Sequence, residues 1–229
     1  MNRTLILLFL LIYNFSIGQT SNVTNKQLSK QEIESTFTEN IRKQLKIDNS
    51  IYRIYEYNDK IGKHFVIMTQ NKIDCEQRKE CFDSIKVFCY LFQNKTYKME
   101  WKLKDFIVPN SYEYSISHWT KYFSLDDYDK DGIADPIIIY GTFGMNDTGD
   151  GRIKIVIYYK GNKRVIRHQN GILDDERHTQ VDKEFYKLPI EIQSNVKTIM
   201  KNININGHGI FPSGWEKAMK NKELKIIEN

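Results

Sequence analysis

The apolar positions of this chain change their period as it runs, and each period predicts an element. Ile33, Phe37, Ile41 and Leu45 recur every four residues, the mark of a helix with a narrow apolar stripe. "SKQE" at Ser29 to Glu32 opens that helix as a capping box, with the serine accepting from the first turn and the glutamate reaching back. From Ile51 to Leu103 the period drops to two. "IYRIYEY" and "KHFVIMTQ" flank "NDKIG", a hairpin with glycine at its bend, and "SIKVFCYLFQ" and "TYKMEWKLKDF" flank "NK", a second hairpin. In the last of these, Tyr97, Met99, Trp101 and Leu103 alternate with Lys98, Glu100, Lys102 and Lys104, so one dry face and one solvated face are expected.

The second half carries "PIIIYGT", "RIKIVIYY" and "RVIRHQN", joined by turns at "GMNDTGDG" and "KGN". "PIIIY" lacks alternation, which predicts cover on both faces, and "RIKIVIYY" sets Ile153, Ile155, Ile157 and Tyr159 on one side. A helix follows from Pro189, with Ile192, Val196, Ile199 and Ile203 inward, and a short one from Pro212 with Ser213 as its cap. The expected fold is α+β: a single domain built on antiparallel β-sheet, with an N-terminal helix and C-terminal helices. The division is 1–18 as a signal peptide, 19–48 as a polar leader and amphipathic helix, and 49–229 as the β-rich domain with its C-terminal helices.

The signal peptide rests on "MNRTLILLFLLIYNFSIGQT": Arg3 is the one charge, an apolar run follows from Leu5 to Tyr13, and Ser16 and Gly18 are small. Cleavage is expected between Gly18 and Gln19, giving an exported protein with no transmembrane segment, since the run is too short for a bilayer about 30 Å thick. The formal charge of +5 falls to about +4 without Arg3, a mild excess spread along the chain, which does not predict nucleic-acid binding. Export permits disulfides. Cys75 and Cys81 end the polar loop "CEQRKEC" between two strands and are expected to pair, while Cys89 shares a strand face with Ile85, Val87 and Leu91 and is expected as a buried free thiol.

The densest chemistry is "LDDYDKDGIADPIIIYGT", Leu125 to Thr142. Asp127, Asp129 and Asp131 hold positions one, three and five of a loop, Gly132 permits a sharp bend at six, and Asp135 stands at nine. Alternate residues in a coiled loop turn their carboxylates toward one point. Calcium takes six to eight hard oxygens at about 2.3–2.6 Å, and the carbonyl of Ile133 at position seven would add one. The predicted ligands are therefore Asp127, Asp129, Asp131, Ile133 and Asp135, and the predicted cofactor is calcium, held for architecture. Position twelve is Ile138, not the glutamate of an EF-hand, and the loop feeds a strand. From Asp127 to about Ile139 it resembles the calcium loops of the FG-GAP and VCBS families. Their motif commonly repeats around a propeller; here it occurs once, and only the ligand roles carry over.

A wider stretch, "HWTKYFSLDDYDKDGIADPIIIYGTFGMNDTGDGRIKIVIYYKGNKRVIRHQNGILDDERHTQVDKEFYKLP" with "HGIFPSGWEKAMK", is similar to a secreted bacterial family of surface polysaccharide biosynthesis proteins, over roughly Trp101 to Lys220. The resemblance implies the periplasm or cell surface of a Gram-negative bacterium, with surface polysaccharide or another envelope component as partner; it supplies no catalytic residues. Other candidates are weaker chemically. Asp174, Asp175 and Glu176 offer acids for glycoside chemistry, but that needs two carboxylates about 5–9.5 Å apart and facing each other, which neighbours in sequence rarely achieve. The plainer expectation is a solvated loop whose acids pair with Arg167 and Arg177. His168 and His178 lie ten apart, a spacing of no familiar zinc site. His208 between two glycines suits either a binding residue or a simple turn. The sequence therefore favours a non-catalytic, calcium-stabilised envelope protein that binds or helps assemble surface polysaccharide; the alternative is a secreted carbohydrate-active enzyme using acids near 174–178.

Overall fold

The period-two stretches become strands because alternate side chains of a pleated backbone can bury on opposite sides. The protein, a computed structural model, is described over residues 23–75, 80–109 and 111–228. The predicted signal peptide and its cleavage site lie outside the described residues. Among these, β1 (Thr24–Gln27), β2 (Ser50–Asn58), β3 (Lys63–Ile73), β4 (Cys81–Gln93) and β5 (Thr96–Phe106) form one sheet in chain order. A second sheet, also in chain order, holds β6 (Ser115–His118), β7 (Ile137–Phe143), β8 (Arg152–Tyr159), β9 (Asn162–Gln169), β10 (His178–Val181) and β11 (Lys225–Ile227). Every neighbouring pair is antiparallel. The expected antiparallel, strand-dominated architecture is what the chain adopts.

The sheets stack face to face and each carries helices on its outer side, so three apolar layers separate four structural ones. Tyr57, Val66, Met68, Val87 and Cys89 of the first sheet meet Ile138, Tyr140, Val156, Tyr158 and Val165 of the second. The Trp101 and Tyr158 rings stack 3.8 Å apart across this seam. The unbroken "PIIIY" run is explained: Ile138 and Tyr140 enter the seam, while Ile137 and Ile139 point the other way, toward the C-terminal helices. Those helices are α3 (Ile190–Ile205), with Ile192, Val196, Ile199 and Ile203 buried, and α4 (Trp215–Lys220); in chain order they follow α1 (Lys30–Thr36) and α2 (Glu39–Gln44). Pro189 is the cap of α3 instead of its first residue, and α4 is preceded by Gly214 at φ 72°, not capped by Ser213, whose N–H donates to Glu228. No helix among the described residues is long and apolar enough to cross a membrane.

Two departures from the periodicity have clear physical causes. The stripe from Ile33 to Leu45 is not one helix. The backbone leaves the helical region at Phe37 (φ −106°, ψ 63°), and α2 begins after Thr38. Phe37 is fully buried, its ring edge-on to Phe65 at 5.2 Å, and this aromatic burial against the first sheet outweighs continuing the helix. The predicted capping box is present: the Glu32 N–H donates to Ser29 Oγ at 3.2 Å and the Ser29 N–H to Glu32 Oε2 at 2.8 Å.

The second departure lies in β5. Cys89 pairs with Trp101 but Tyr90 pairs with Met99, leaving Glu100 as an extra residue, a β-bulge. The bulge reverses the strand's phase. Trp101 and Leu103 face the seam between the sheets, whereas Tyr97 packs on the helix-covered side and Met99 is exposed. The single dry face expected for Tyr97, Met99, Trp101 and Leu103 is thus divided between two sides. The cysteines match expectation: Cys75 and Cys81 are bonded with Cα atoms 6.1 Å apart, and Cys89 is free and buried.

Candidate cation loop and the pocket beside it

The aspartate loop enters β7 after an antiparallel bridge between Ser124 and Ile137, and its own carboxylates shape it. Asp127 Oδ1 accepts from the Asp131 N–H at 3.1 Å and Oδ2 from the Gly132 N–H at 2.8 Å. Gly132 sits at φ 85°, the left-handed conformation that the glycine at position six was expected to supply. Asp135 is 2 % exposed and accepts from the Tyr128 N–H at 3.0 Å. Carboxylate oxygens of Asp127, Asp129 and Asp135 lie within 4.8 Å of one another. Asp131 is outside this trio: its carboxylate meets Lys160 Nζ at 2.9 Å and accepts from the Ile133 N–H at 2.9 Å.

Burial, then the charges of Asp129, Asp127 and Asp131, push the Asp135 carboxyl up to about 7. A buried carboxylate among three others is relieved by holding its proton or by a positive charge nearby, as Lys160 supplies to Asp131. The hydroxyl of Tyr159 donates to Asp129 Oδ2 at 2.9 Å, a neutral partner that adds no positive charge.

The β2–β3 turn is fastened onto this loop. The Lys60 N–H donates to the Gly132 carbonyl at 2.9 Å, the Lys60 ammonium to the Asp131 carbonyl, and the Ala134 N–H to Asp59 Oδ2 at 3.2 Å. The loop therefore ties the β2–β3 turn of the first sheet to the entry of β7 in the second. Beside the junction lies a pocket of about 530 Å³, lined by Tyr57, Trp101 and Tyr158 and by the polar side chains of His64, Lys98 and Lys160, among others.

The pocket also holds a group of residues that the sequence reading missed. His64 is 1 % exposed, and its ring stacks on Tyr57 with centroids 4.4 Å apart. Its Nε2 lies 3.1 Å from Asp59 Oδ1 and its Nδ1 2.8 Å from Glu100 Oε2. Burial opposes a charge on His64, but the hydrogen bonds to Asp59, Cys89 and Glu100 outweigh it and raise the imidazole to about 11. Asp59 is correspondingly lowered: burial works against it and the hydrogen bond to His64 prevails. Cys89 Sγ is 3.5 Å from Glu100 Oε2 and 3.5 Å from the Tyr57 hydroxyl, and burial raises its thiol. A histidine held this firmly as imidazolium is poorly poised for general acid or base work at neutral pH, where a catalytic pKa lies near the operating pH. The available signal was slight: "NDKIGKH" places Asp59 and His64 across a hairpin turn, and Glu100 interrupts the row of Lys98, Lys102 and Lys104 in β5.

The remaining candidates do not converge. Asp174, Asp175 and Glu176 form an exposed single turn, with Asp174 paired to Arg177 at 2.7 Å. Arg167 pairs with Asp182 instead of these acids. His168 is buried against Thr179, and His178 meets the Glu176 carbonyl. His208 accepts or donates to the Tyr122 hydroxyl at 2.8 Å beside a second hollow of about 320 Å³, far in sequence from those acids and sharing no contact with them among the described bonds. Comparison with family models, curated proteins and solved structures finds no match to this chain.

Proposed function

We propose that this is an exported, calcium-stabilised envelope protein that binds or helps assemble surface polysaccharide without turning it over. The observation that carries the reading is the docking of the β2–β3 turn onto the aspartate loop, which frames the pocket between the sheets. Calcium would be held by Asp127, Asp129 and Asp135, with Asp131 and the Ile133 carbonyl as further oxygens, and its work would be to neutralise the loop and fix the pocket wall. The aromatic lining at Tyr57, Trp101 and Tyr158, with Lys98 and Lys160 beside it, would offer a sugar apolar ring edges next to charged hydrogen-bond donors. The leader sequence and the family resemblance point to the same compartment and partner. The seam shared by both sheets supports reading 49–229 as one unit.

The acids at 174–176 stand on an exposed turn with Asp174 paired to Arg177, which supports the binding reading over the hydrolytic one. Titration of the purified chain with glycan extracted from its own envelope tests the reading. Binding is expected in calcium, weakened by chelator and by Lys98→Glu at the pocket rim. Absence of binding, or glycan hydrolysis abolished by a single carboxylate substitution, would overturn it.

A further inference from the structure

We infer that His64, Cys89 and Glu100 form a second metal site, for a zinc-class divalent ion, at the base of the pocket. One ligand atom from each of His64, Cys89 and Glu100 lies within 4.8 Å of the other two, and Glu100 Oε2 meets both His64 Nδ1 and Cys89 Sγ. This is a nitrogen–sulfur–oxygen set that zinc accepts and calcium does not. Zinc bonds of about 2.0–2.3 Å in a tetrahedron set ligand atoms roughly 3.3–3.6 Å apart. Cys89 and Glu100 already stand at 3.5 Å, and the 2.8 Å between His64 and Glu100 would open by about half an ångström. Glu100 can make that shift, since its side chain is 27 % exposed.

Three independent features surround the trio as they would a metal. The second nitrogen of His64 faces Asp59, whose side chain is 1 % exposed, at 3.1 Å. A carboxylate behind the ligating ring fixes its tautomer and orientation. The bulge that leaves Glu100 unpaired in the ladder turns its carboxylate toward β3 and β4, whereas regular alternation had assigned it to the lysine face. The Tyr57 hydroxyl, 3.5 Å from the sulfur, is placed to donate to a thiolate. Three protein ligands leave a fourth position for water or for an oxygen of a pocket ligand, the pattern of reactive rather than purely structural zinc.

Charge balance is kept. The ion replaces two protons, one from the Cys89 thiol as the sulfur–metal bond forms and one from His64 Nδ1, and both pass to solvent. The cluster's net charge is the same before and after. The site stands apart from the polysaccharide reading, and its test needs no glycan.

The test is to titrate the chelator-treated full chain, kept in calcium, with cobalt(II). One equivalent should give a thiolate-to-cobalt charge-transfer band in the near ultraviolet and the visible bands of a four-coordinate ion, and zinc should bleach both. Cys75 and Cys81 are joined to each other, so the band can come only from Cys89. Cys89→Ser should abolish it and Asp129→Ala should leave it. If Cys89→Ser does not fold, Asp59→Asn and Glu100→Gln decide. Asp59→Asn is expected to weaken cobalt binding about 10–100-fold with the thiolate band retained, and Glu100→Gln to weaken it and alter the visible bands. A wild-type chain with no charge-transfer band, or cobalt binding unchanged by both substitutions, would overturn the inference.

Discussion

The aspartate loop and the histidine cluster lie side by side and share Asp59, yet they are assembled in opposite ways. The loop draws its carboxylates from nine consecutive residues, so a turn of backbone suffices to bring them together. The cluster draws on the β2–β3 turn, β3, β4 and β5, and exists only once three strands have taken their register. The loop is held by backbone N–H groups donating to its own acids, the cluster by side chains that neutralise one another. A contiguous site can be specified locally; a distributed one is a consequence of the fold and inherits its stability.

The sharpest way to break the comparison is to remove the group common to both halves. Asp59 pairs with His64 through one oxygen and accepts from Ala134 through the other. Asp59→Ala would leave a buried imidazole short of one carboxylate and remove one of the turn's three bonds to the loop. Removing one partner of a buried pair typically costs about 3–5 kcal/mol. Urea unfolding should report a loss of that order, and a loss below about 1 kcal/mol would mean the two centres are not joined through this residue.

Calcium comes next. Ligand at about a hundred times Kd stabilises by roughly 2.7 kcal/mol, and a millimolar-affinity loop gains less at ordinary calcium levels. Melting temperature should rise with calcium, little with magnesium, and not at all in Asp129→Ala. A melting curve indifferent to calcium, magnesium and chelator would reduce the loop to an acidic turn.

The difference in assembly also explains what could be read from sequence. The strands were legible because their apolar residues alternate, and Asp127 to Asp135 because ligand spacing and glycine lie in one run. The double cover of Ile137 to Ile139 followed from the absence of alternation. Period alone cannot report a bulge, however, and one unpaired residue at Glu100 moved Tyr97 to the far side of the sheet and aimed a carboxylate at His64. Nor could it show that Phe37 would prefer the aromatic layer on the first sheet to a place within a longer helix. Asp131 was placed among the ligands by spacing; the partner that holds its carboxylate, Lys160, lies twenty-nine residues on, in the β8–β9 turn.

An effect seen only in acid contrasts His64 with histidines given only neutral partners. His118 faces the Thr69 carbonyl and His168 faces Thr179 and Asn170, and burial lowers both to about 4. Their ordinary value is near 6.5, so above that pH both folded and unfolded chains hold them neutral and their contribution is complete. As pH falls from 6.5 toward 4, the unfolded chain takes up protons that the folded one refuses, and stability is lost. The slope is at most about 1.4 kcal/mol per pH unit for each histidine. Denaturant midpoints measured from pH 7 to 4.5 should fall, and His168→Gln should flatten the slope. An unchanged slope would place the acid sensitivity elsewhere.

The smallest expected effect bears on how far the loop is ready for its ion. Lys160 holds the Asp131 carboxylate at 2.9 Å, and with half its side-chain surface exposed the pair contributes little to the fold. Its consequence for calcium is more specific. The lysine competes with the ion for Asp131 and places a positive charge beside the site that the ion must enter. Lys160→Met removes both obstacles, so Asp131 is free to turn toward Asp127, Asp129 and Asp135. Stability without calcium should hardly change, while calcium affinity rises several-fold in a direct titration. An affinity that falls would show that Lys160 positions the loop instead of competing for it, and one that stays the same would leave Asp131 outside the ligand set and the loop a three-carboxylate site.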